Sequence, residues 1–315
     1  MRSILSIDWQ GLDRLRSMYF SDKEKILDYW QSEKLLSDYH DTLGQRILFK
    51  WQNVLSYLDG KNILPLKGQK DFVIKDWGCG TGVASLAFLA YCKPSGKVKL
   101  VLSDRSQAAM SFARKKVEEA CREACIEGPE SKASADVLLV SHVLSEMGKE
   151  EEACLLEEIR KAKYVIWLDA GTKAVSRRLS KARDALLAGF DVLAPCTHQM
   201  ACGMLEEGNE QHWCHFFGDV PPLVFQSAFW REFSKKLKID LRSLPMSFLV
   251  MAKKEVGVDG PLAGEKRIIG RVAAQKGRCH FYTCDSLGVR KEERQKREDK
   301  KAFKSLCQSG FCATL

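Results

Sequence analysis

Short apolar runs alternate with amphipathic stretches from residue 72 to residue 194, and no other feature limits the possible fold as strongly. Runs with the composition of buried strands lie at 72–75, 98–103, 137–141, 165–169 and 191–194. Stretches with helical spacing of apolar residues lie at 83–91, 107–124, 150–162 and 173–188. Strands that alternate with helices in this way form a parallel sheet covered on both faces. The sequence therefore predicts an α/β protein, with a further strand at 247–254.

A glycine-rich loop, DWGCGTG at 76–82, follows the first strand and opens the first helix of the alternation. Glycines permit a tight turn and close approach of a ligand to the backbone, and free amides at a helix start favour polar or anionic groups. A dinucleotide-binding loop would carry its third glycine one residue later, where this chain has Val83. This mismatch disfavours the function of a zinc-dependent NAD oxidoreductase.

The regions on either side of the alternation differ from it in composition. Apolar residues recur at three- to five-residue spacing from Ile26 to Leu58, which predicts an N-terminal helical region over 1–66. We expect the sheet domain to span 67–254, with a Cys-rich insertion at about 194–230, and a basic extension to span 255–315. The longest uncharged stretch of note, 77–92, is shorter than the roughly 20 residues that cross a bilayer.

The charge excess is concentrated at the C-terminal end. From Lys253 onward the chain has 15 basic and 8 acidic residues, whereas the whole chain carries a net charge of +9. The segment VRKEERQKREDKKAFK at 289–304 mixes both signs. It fits a solvated helix with pairs such as Glu292 and Lys296, and it also fits a basic arm that contacts nucleic-acid phosphates.

Three of the 12 cysteines stand close together, at Cys196, Cys202 and Cys214. The beginning of the chain lacks the apolar core of a secretory signal, so we expect free thiols or metal ligands rather than disulfides. The intervals between the three do not fit the close pairs of zinc fingers, and the nearby histidines keep a mixed zinc site open. Iron–sulfur clusters commonly need four thiolates, and the tail offers further cysteines. These tail cysteines are Cys279, Cys284, Cys307 and Cys312.

The loop with an acid two residues before its first glycine resembles motif I of class I S-adenosylmethionine-dependent methyltransferases. The resemblance implies a Rossmann-like sheet in which the loop holds the methionine part of the cofactor, and in which Asp104, after the second strand, binds the ribose hydroxyls. The implied cofactor-binding residues are Asp76, Gly78, Gly80, Gly82 and Asp104. The position after the fourth strand reads VSHVLSEM and offers Ser141, His142 and Glu146, but no catalytic residue is assigned.

The cysteine block resembles a methyltransferase-like family of small-ribosomal-subunit assembly proteins of bacteria and mitochondria. The matching motifs are APCTH at 194–198, Cys202, WCHF at 213–216 and a late cysteine followed four residues on by Gly288. The resemblance implies a 4Fe–4S cluster held by Cys196, Cys202, Cys214 and Cys284, with Cys279 as a competitor for the last place. The chain departs from the family pattern at Thr197-His198-Gln199, at Gly203 and in its mixed, cysteine-containing tail.

Together these resemblances imply a function in ribosome biogenesis and translation. We expect an S-adenosylmethionine-dependent methyltransferase-family protein that binds ribosomal RNA of the small subunit and carries the cluster. The alternative is a catalytically inactive rRNA-binding assembly factor with a structural iron–sulfur or zinc site. We expect a monomer without membrane association. Early acidic residues, Asp8 and Asp13, argue against a transit segment and favour a bacterial cytoplasm, or the mitochondrial matrix in a eukaryote.

Overall fold

Parallel strands and their covering helices form the first of two structural units in the computed structural model, which describes residues 4–18, 30, 32–258, 260 and 264–315. The parts of the predicted N-terminal helical region at 1–3, 19–29 and 31, including Ile26, lie outside the described residues. The first unit comprises Met1–Trp167 and Val220–Leu244, and the second comprises Leu168–Asp219 and Pro245–Leu315. The domain limits predicted at 66/67 and 254/255 remain predictions.

The first unit contains the following elements in chain order: α1 (Trp9–Met18), α2 (Glu33–Asp41), α3 (Leu43–Gly60), β1 (Phe72–Trp77), α4 (Val83–Cys92), β2 (Val98–Ser103), α5 (Gln107–Ala120), β3 (Ala124–Glu127), β4 (Val137–Ser141), α6 (Lys149–Lys161) and β5 (Tyr164–Ala170), whose last residues belong to the second unit. The later elements in chain order are α7 (Lys173–Leu186), β6 (Phe190–Ala194), β7 (Phe216–Phe217), α8 (Pro222–Gln226), α9 (Ala228–Leu237), β8 (Pro245–Lys253), β9 (Arg267–Gln275), β10 (Arg278–Asp285), β11 (Gly288–Gln295) and α10 (Lys300–Cys307). Of these later elements, α8 and α9 belong to the first unit.

The sheet of the first unit has the strand order β3-β2-β1-β4-β5. Pairing is parallel between β1 and β2, between β1 and β4, and between β2 and β3. Four of the five residues of β4 are buried, as expected of a strand with helices on both faces. Helix α4 is buried on nearly all sides, because its residues are almost entirely apolar. The predicted α/β, Rossmann-like fold is therefore confirmed.

The N-terminal helices pack against α9 rather than standing apart from the sheet unit. Leu12 of α1 and Leu35 of α2 share one buried cluster with Phe229, Trp230 and Phe233 of α9. This aromatic cluster explains why the segment 220–244 belongs to the first unit, although the sequence suggested that its beginning was part of the Cys-rich insertion.

The second unit combines antiparallel pairs with one amphipathic helix. Strand β8 pairs antiparallel with both β6 and β7, and β9, β10 and β11 form a separate antiparallel sheet. Helix α10 covers this small sheet through Leu306, which packs against Ile268, Cys279 and Phe281. Among the described residues, no helix is long and apolar enough to cross a membrane.

Two local expectations differ from the structure. The sequence has no apolar run between 103 and 137, yet the structure has a short edge strand there, β3, which pairs with β2. The segment 289–304 is not one solvated helix, because its first half forms β11 and only its end is helical, in α10. Ion pairs to other segments, such as Lys266 with Glu292 at 3.0 Å, stabilise β11 where a helix would have relied on neighbours four residues apart.

Candidate functional site

The carboxyl ends of β1, β2 and β4 surround a cavity of about 290 Å³ in the first unit. Strand order reverses at β1, since β2 and β3 lie on one side of it and β4 on the other. Ligands of open α/β sheets bind outside the carboxyl ends of the strands at such a reversal point. The volume is close to the lower limit of small-molecule sites, which is roughly 300 Å³.

The glycine loop forms one wall of this cavity through Gly78 and Gly80, and Asp104 lies beside it. All three glycines of the loop have left-handed backbone conformations. One carboxylate oxygen of Asp104 accepts a hydrogen bond from the Gly80 amide at 2.8 Å, and the other accepts from the Ser106 amide at 2.9 Å. Gly82 is outside the cavity lining, and an added Cβ there would lie 3.1 Å from Ala113 in helix α5.

Asp76 is fully buried behind the loop and does not line the cavity. Its Oδ2 accepts hydrogen bonds from the Ser85 hydroxyl at 2.6 Å and from the Ser85 amide at 3.2 Å. Burial raises the pKa of Asp76 to about 6, although the bonds from Ser85 favour the charged form. Its other oxygen, Oδ1, and the Thr81 hydroxyl are buried without a partner in the described part of the chain.

Side chains from the N-terminal helical region line the same cavity, which the sequence pattern did not indicate. Tyr39 of α2 and Ile47 of α3 contribute to the lining, together with Trp30. The rings of Trp30 and Tyr39 meet edge to face, with centroids 5.1 Å apart. No local motif marks these residues, because their spacing is that of any amphipathic helix.

A polar network joins α3 to the carboxyl end of β4 at the edge of the cavity. The Lys50 ammonium lies 3.0 Å from Nε2 of His142, and the Trp51 indole donates a hydrogen bond to the Ser141 hydroxyl at 3.0 Å. An ammonium group can only donate, so Nε2 accepts and the imidazole is neutral. His142 also has a left-handed backbone, with a φ of 56°. Burial, followed by the Lys50 charge, holds the pKa of His142 well below its usual value.

Replacing Lys50 with Met is expected to raise the pKa of His142 toward its usual value of 6.5, because burial alone then opposes protonation. NMR titration of the imidazole protons measures this shift. Lys61→Met is the matched control, since Lys61 is exposed at the end of α3, and it should leave the pKa unchanged. An unmoved His142 pKa in the Lys50 variant would contradict the assigned network.

The same shift has a consequence for stability. The imidazole takes up a proton near pH 6.5 in the unfolded chain but only at lower pH in the folded chain. Below pH 6.5 the unfolded state therefore binds more protons, and the free energy of unfolding falls as the pH decreases. In Lys50→Met the free energy of unfolding should therefore fall less between pH 7.5 and pH 5. Denaturant unfolding of the variant and the wild type at both pH values measures this difference.

The cysteines predicted as ligands converge within the second unit. Cys196, Cys202 and Cys214 line a small cavity of about 30 Å³ together with residues of α7 and β8. The fourth, Cys284, lies one residue before the end of β10 and has its Sγ 3.8 Å from Nε2 of His198. Cys279 lies elsewhere, buried against Ile268 and Leu306.

Hydrogen bonds to the backbone fix the loops that carry these cysteines. The Cys202 amide donates to Asp184 of α7 at 3.0 Å, and the Cys214 carbonyl accepts from Ser247 of β8 at 2.8 Å. One guanidinium nitrogen of Arg177 donates to three loop carbonyls, those of Met204, Asn209 and His212. The loop and the β10–β11 turn also approach closely, because a Cβ added at Gly203 would lie 2.8 Å from the Cα of Gly288.

The thiols interact electrostatically. Burial raises the pKa of Cys214, and the charges of Cys196, Cys202, Cys284 and Cys312 raise it further. Burial likewise raises the pKa of Cys284, with smaller contributions from Cys196 and Cys202. In the conformation described, and within the described residues, no group of three or more His, Cys, Asp or Glu side chains is arranged to hold a metal ion.

Only one of the three nearby histidines stands among the thiols. His198 contacts Cys284, whereas His212 packs on the Tyr282 ring with centroids 4.6 Å apart. His215 stacks on Trp213 at 4.7 Å, and its Nδ1 lies 3.0 Å from the Trp213 carbonyl oxygen. A mixed site therefore has His198 as its imidazole candidate among these three.

Sequence reasoning missed Arg183, a buried arginine of α7 that also lines the small cavity. Its Nη2 donates to the His198 carbonyl at 3.2 Å, and its Nη1 bonds the Asp184 carboxylate. Arg183 Nε, Thr197 Oγ1 and His198 Nδ1 are buried polar atoms for which the described residues provide no hydrogen-bond partner. The signal in the sequence was a charged residue on the apolar face of an amphipathic helix.

The sequence matches a family model described as mitochondrial small ribosomal subunit Rsm22 over residues 75–305. No curated protein matches it. Three solved structures are similar to parts of the chain. PH1948 from Pyrococcus horikoshii, provisionally assigned as an RNA methyltransferase, is 14% identical, with 65% of this chain and 84% of that chain covered and a TM-score of 0.40. Precorrin-6y C5,15-methyltransferase from Geobacter metallireducens is 12% identical, with 74% and 94% covered and a TM-score of 0.37. A SAM-dependent methyltransferase from Aquifex aeolicus is 17% identical, with 44% and 81% covered and a TM-score of 0.34.

Proposed function

Because the chain belongs to the Rsm22 family of mitochondrial small ribosomal subunit proteins, we propose that it acts in assembly of the small ribosomal subunit. In this proposal the protein binds S-adenosylmethionine in the first unit, a 4Fe–4S cluster in the second, and ribosomal RNA. The observation that carries the proposal is the cavity at the reversal point of the sheet, lined by Gly78, Gly80 and Asp104.

The residues around this cavity fit S-adenosylmethionine. A Cβ added at Gly80 would meet no described atom within 4 Å, so the loop backbone is open to a ligand. Asp104 would hold the ribose, because its carboxylate lines the cavity and a carboxylate can accept two hydrogen bonds from neighbouring hydroxyls. Asp76 would act from behind the loop, through its charge. The cofactor, when bound, supplies a methyl group attached to a sulfonium sulfur.

Catalysis would depend on how the chain positions a nucleophile beside that methyl group. Neutral His142 at the cavity edge is an imidazole able to take a proton, provided that Lys50 releases Nε2. The fold does not by itself imply catalysis. The second candidate, a non-catalytic assembly factor that keeps the cofactor as a structural ligand, is favoured by the Lys50–His142 contact, since it occupies the lone pair that a general base needs.

The second unit fits a cluster because four cysteine thiols lie close to three buried polar atoms for which the described residues offer no partner. Buried thiols remain protonated unless a cation stabilises their thiolates, and metal binding provides that stabilisation. Cys196, Cys202, Cys214 and Cys284 would hold the group. These four ligands come from the insertion loop and the β10–β11 hairpin, so a bound cluster would stabilise the arrangement of these two segments. A zinc ion is the alternative, and analysis of iron and sulfide content distinguishes it from the cluster.

Ribosomal RNA binding is supported by the charge of the C-terminal extension. Exposed Lys276 and Arg278 flank the turn at Gly277 between β9 and β10, and exposed Arg271 stacks over the Phe217 ring at 3.9 Å. Several acids of this sheet are already paired with bases, among them Glu292 with Lys266. The remaining excess of basic residues suits phosphate contacts, which weaken steeply as salt is added.

Crosslinking in cells followed by RNA sequencing tests the proposal directly, and small-subunit rRNA should be enriched over unrelated RNA. Labelled S-adenosylmethionine with purified small-subunit RNA should then give methyl transfer if the protein is an enzyme. Gly80→Arg is the control, because its side chain would fill the cofactor cavity while every basic residue of the C-terminal sheet is kept. Crosslinks without methyl transfer support the assembly factor, whereas RNA affinity that ignores salt contradicts the phosphate contacts.

A further inference from the structure

Arg183 carries a positive charge into a region with few partners for it. The side chain is 2% exposed, and it projects from α7 between the loops of Cys196 and Cys202. Removing a guanidinium from water costs several kcal/mol unless its donors are satisfied and its charge is balanced. Its described partners are the Asp184 carboxylate, the His198 carbonyl and the Cys196 thiol, one of the proposed ligands.

These groups satisfy the charge and the hydrogen-bond donors of Arg183 only in part. The Asp184 carboxylate also accepts a hydrogen bond from the Cys202 amide at 3.0 Å, so its negative charge is shared between Arg183 and that amide. Arg183 Nε has no partner among the described residues, and the same holds for the Thr197 hydroxyl and for His198 Nδ1. The large majority of buried side-chain polar atoms in proteins are hydrogen-bonded. Arg183 Nε is a donor on a cationic group, so its lack of a described partner indicates an absent group that accepts hydrogen bonds and carries negative charge.

A four-iron cluster with four thiolate ligands has these two properties. Its sulfur atoms accept hydrogen bonds, and hydrogen bonds together with net charge set its reduction potential. His198 lies on the same side, with Nε2 3.8 Å from Sγ of Cys284. When Cys284 is a thiolate its sulfur can only accept, so Nε2 of His198 becomes the donor in this contact.

We propose that Arg183 and His198 donate hydrogen bonds to the sulfur atoms of the cluster and that the Arg183 guanidinium offsets its negative charge, an inference that rests on the cluster proposed above. Both residues act as positioning residues, because they contact the ligands and not a substrate. Donors to sulfur stabilise the more negative, reduced cluster, so they raise the reduction potential and slow the loss of iron.

The test uses full-length protein purified without oxygen, and its readouts are iron and sulfide content, the rate of iron release to a chelator, and the midpoint potential. Arg183→Gln removes the charge, and Arg183→Lys keeps the charge but loses the planar fork of donors. Lys181→Gln is the matched control, since Lys181 is an exposed residue of the same helix. His198→Gln tests the second donor.

We expect Arg183→Gln to release iron at least fivefold faster than Lys181→Gln and to have a more negative midpoint potential, with Arg183→Lys between the two. His198→Gln should shift the potential in the same direction. If Arg183→Gln does not fold, Arg183→Lys and His198→Gln still report the effect. If the wild-type protein contains the cluster and these variants have an unchanged rate of iron release and an unchanged midpoint potential, this inference is wrong and the cluster proposal is unaffected. Wild-type protein without iron and sulfide overturns the cluster itself.

Discussion

Replacing Cys214 with Ser is expected to abolish iron binding and to lower the melting temperature. Cys214 interacts electrostatically with each of the other three proposed ligands, and its carbonyl accepts a hydrogen bond from Ser247. Serine keeps the backbone contacts but is a poor ligand for iron. A group bound a thousandfold above its dissociation constant stabilises the folded state by about 4 kcal/mol. Losing it should lower the melting temperature by roughly 6 °C in a protein of this size.

Iron and sulfide analysis together with calorimetry measures this result, and other cysteines provide the controls. Cys154→Ser should change neither quantity, because Cys154 is exposed on α6. Cys279→Ser should keep its iron, since Cys279 packs against Leu306 away from the cavity. Retained iron in Cys214→Ser would contradict the ligand set. Retained iron in Cys284→Ser, with loss in Cys312→Ser, would assign the fourth place to Cys312.

Alanine at Gly78 and alanine at Gly80 are expected to have different effects, although both glycines have left-handed backbones. A Cβ at Gly78 would lie 2.6 Å from Cγ1 of Val143, and the branched valine has little freedom to move. A Cβ at Gly80 would meet no described atom within 4 Å. We expect Gly80→Ala to cost about 1–2 kcal/mol of unfolding free energy from backbone strain. Gly78→Ala should cost a further 1–3 kcal/mol or so from overpacking.

For cofactor binding we expect the larger effect at Gly80, whereas for stability we expect the larger effect at Gly78. Gly80 faces the cavity, so Gly80→Arg should abolish S-adenosylmethionine binding while lowering stability little more than Gly80→Ala does. Denaturant unfolding and titration calorimetry separate the two effects. If Gly80→Arg bound the cofactor with unchanged affinity, the assigned pocket would be wrong. Equal unfolding free energies for the two alanine variants would contradict the contact with Val143.

Local features of the sequence predicted the sheet well. Strands β2 and β4 have the bounds that their apolar runs predicted, because parallel strands buried on both faces require continuous apolar residues. The glycine loop was equally visible, since its conformation depends on consecutive residues. Strand β3 was not predicted, because most of its residues are partly exposed at the sheet edge. Strand β11 was not predicted, because its charges form pairs with distant segments.

The partners of the candidate site residues could not be read from the sequence. Lys50 and His142 are 92 positions apart and meet only because α3 packs beside the end of β4. Arg183 looked like one base among several on α7, and its burial depends on the loops of Cys196 and Cys202 folding over it. Residues of this kind become recognisable only when the unsatisfied donors and acceptors of the folded chain are known.

The division of the chain into interleaved units determines which fragments can be made. The backbone passes between the two units three times, near residues 167, 219 and 244. Neither unit is therefore a continuous stretch that a gene truncation could produce. A fragment ending at residue 219 would lack α9 and leave the apolar face of α1 and α2 uncovered, so it should aggregate. During synthesis, the first unit likewise cannot be completed until residue 244 has left the ribosome.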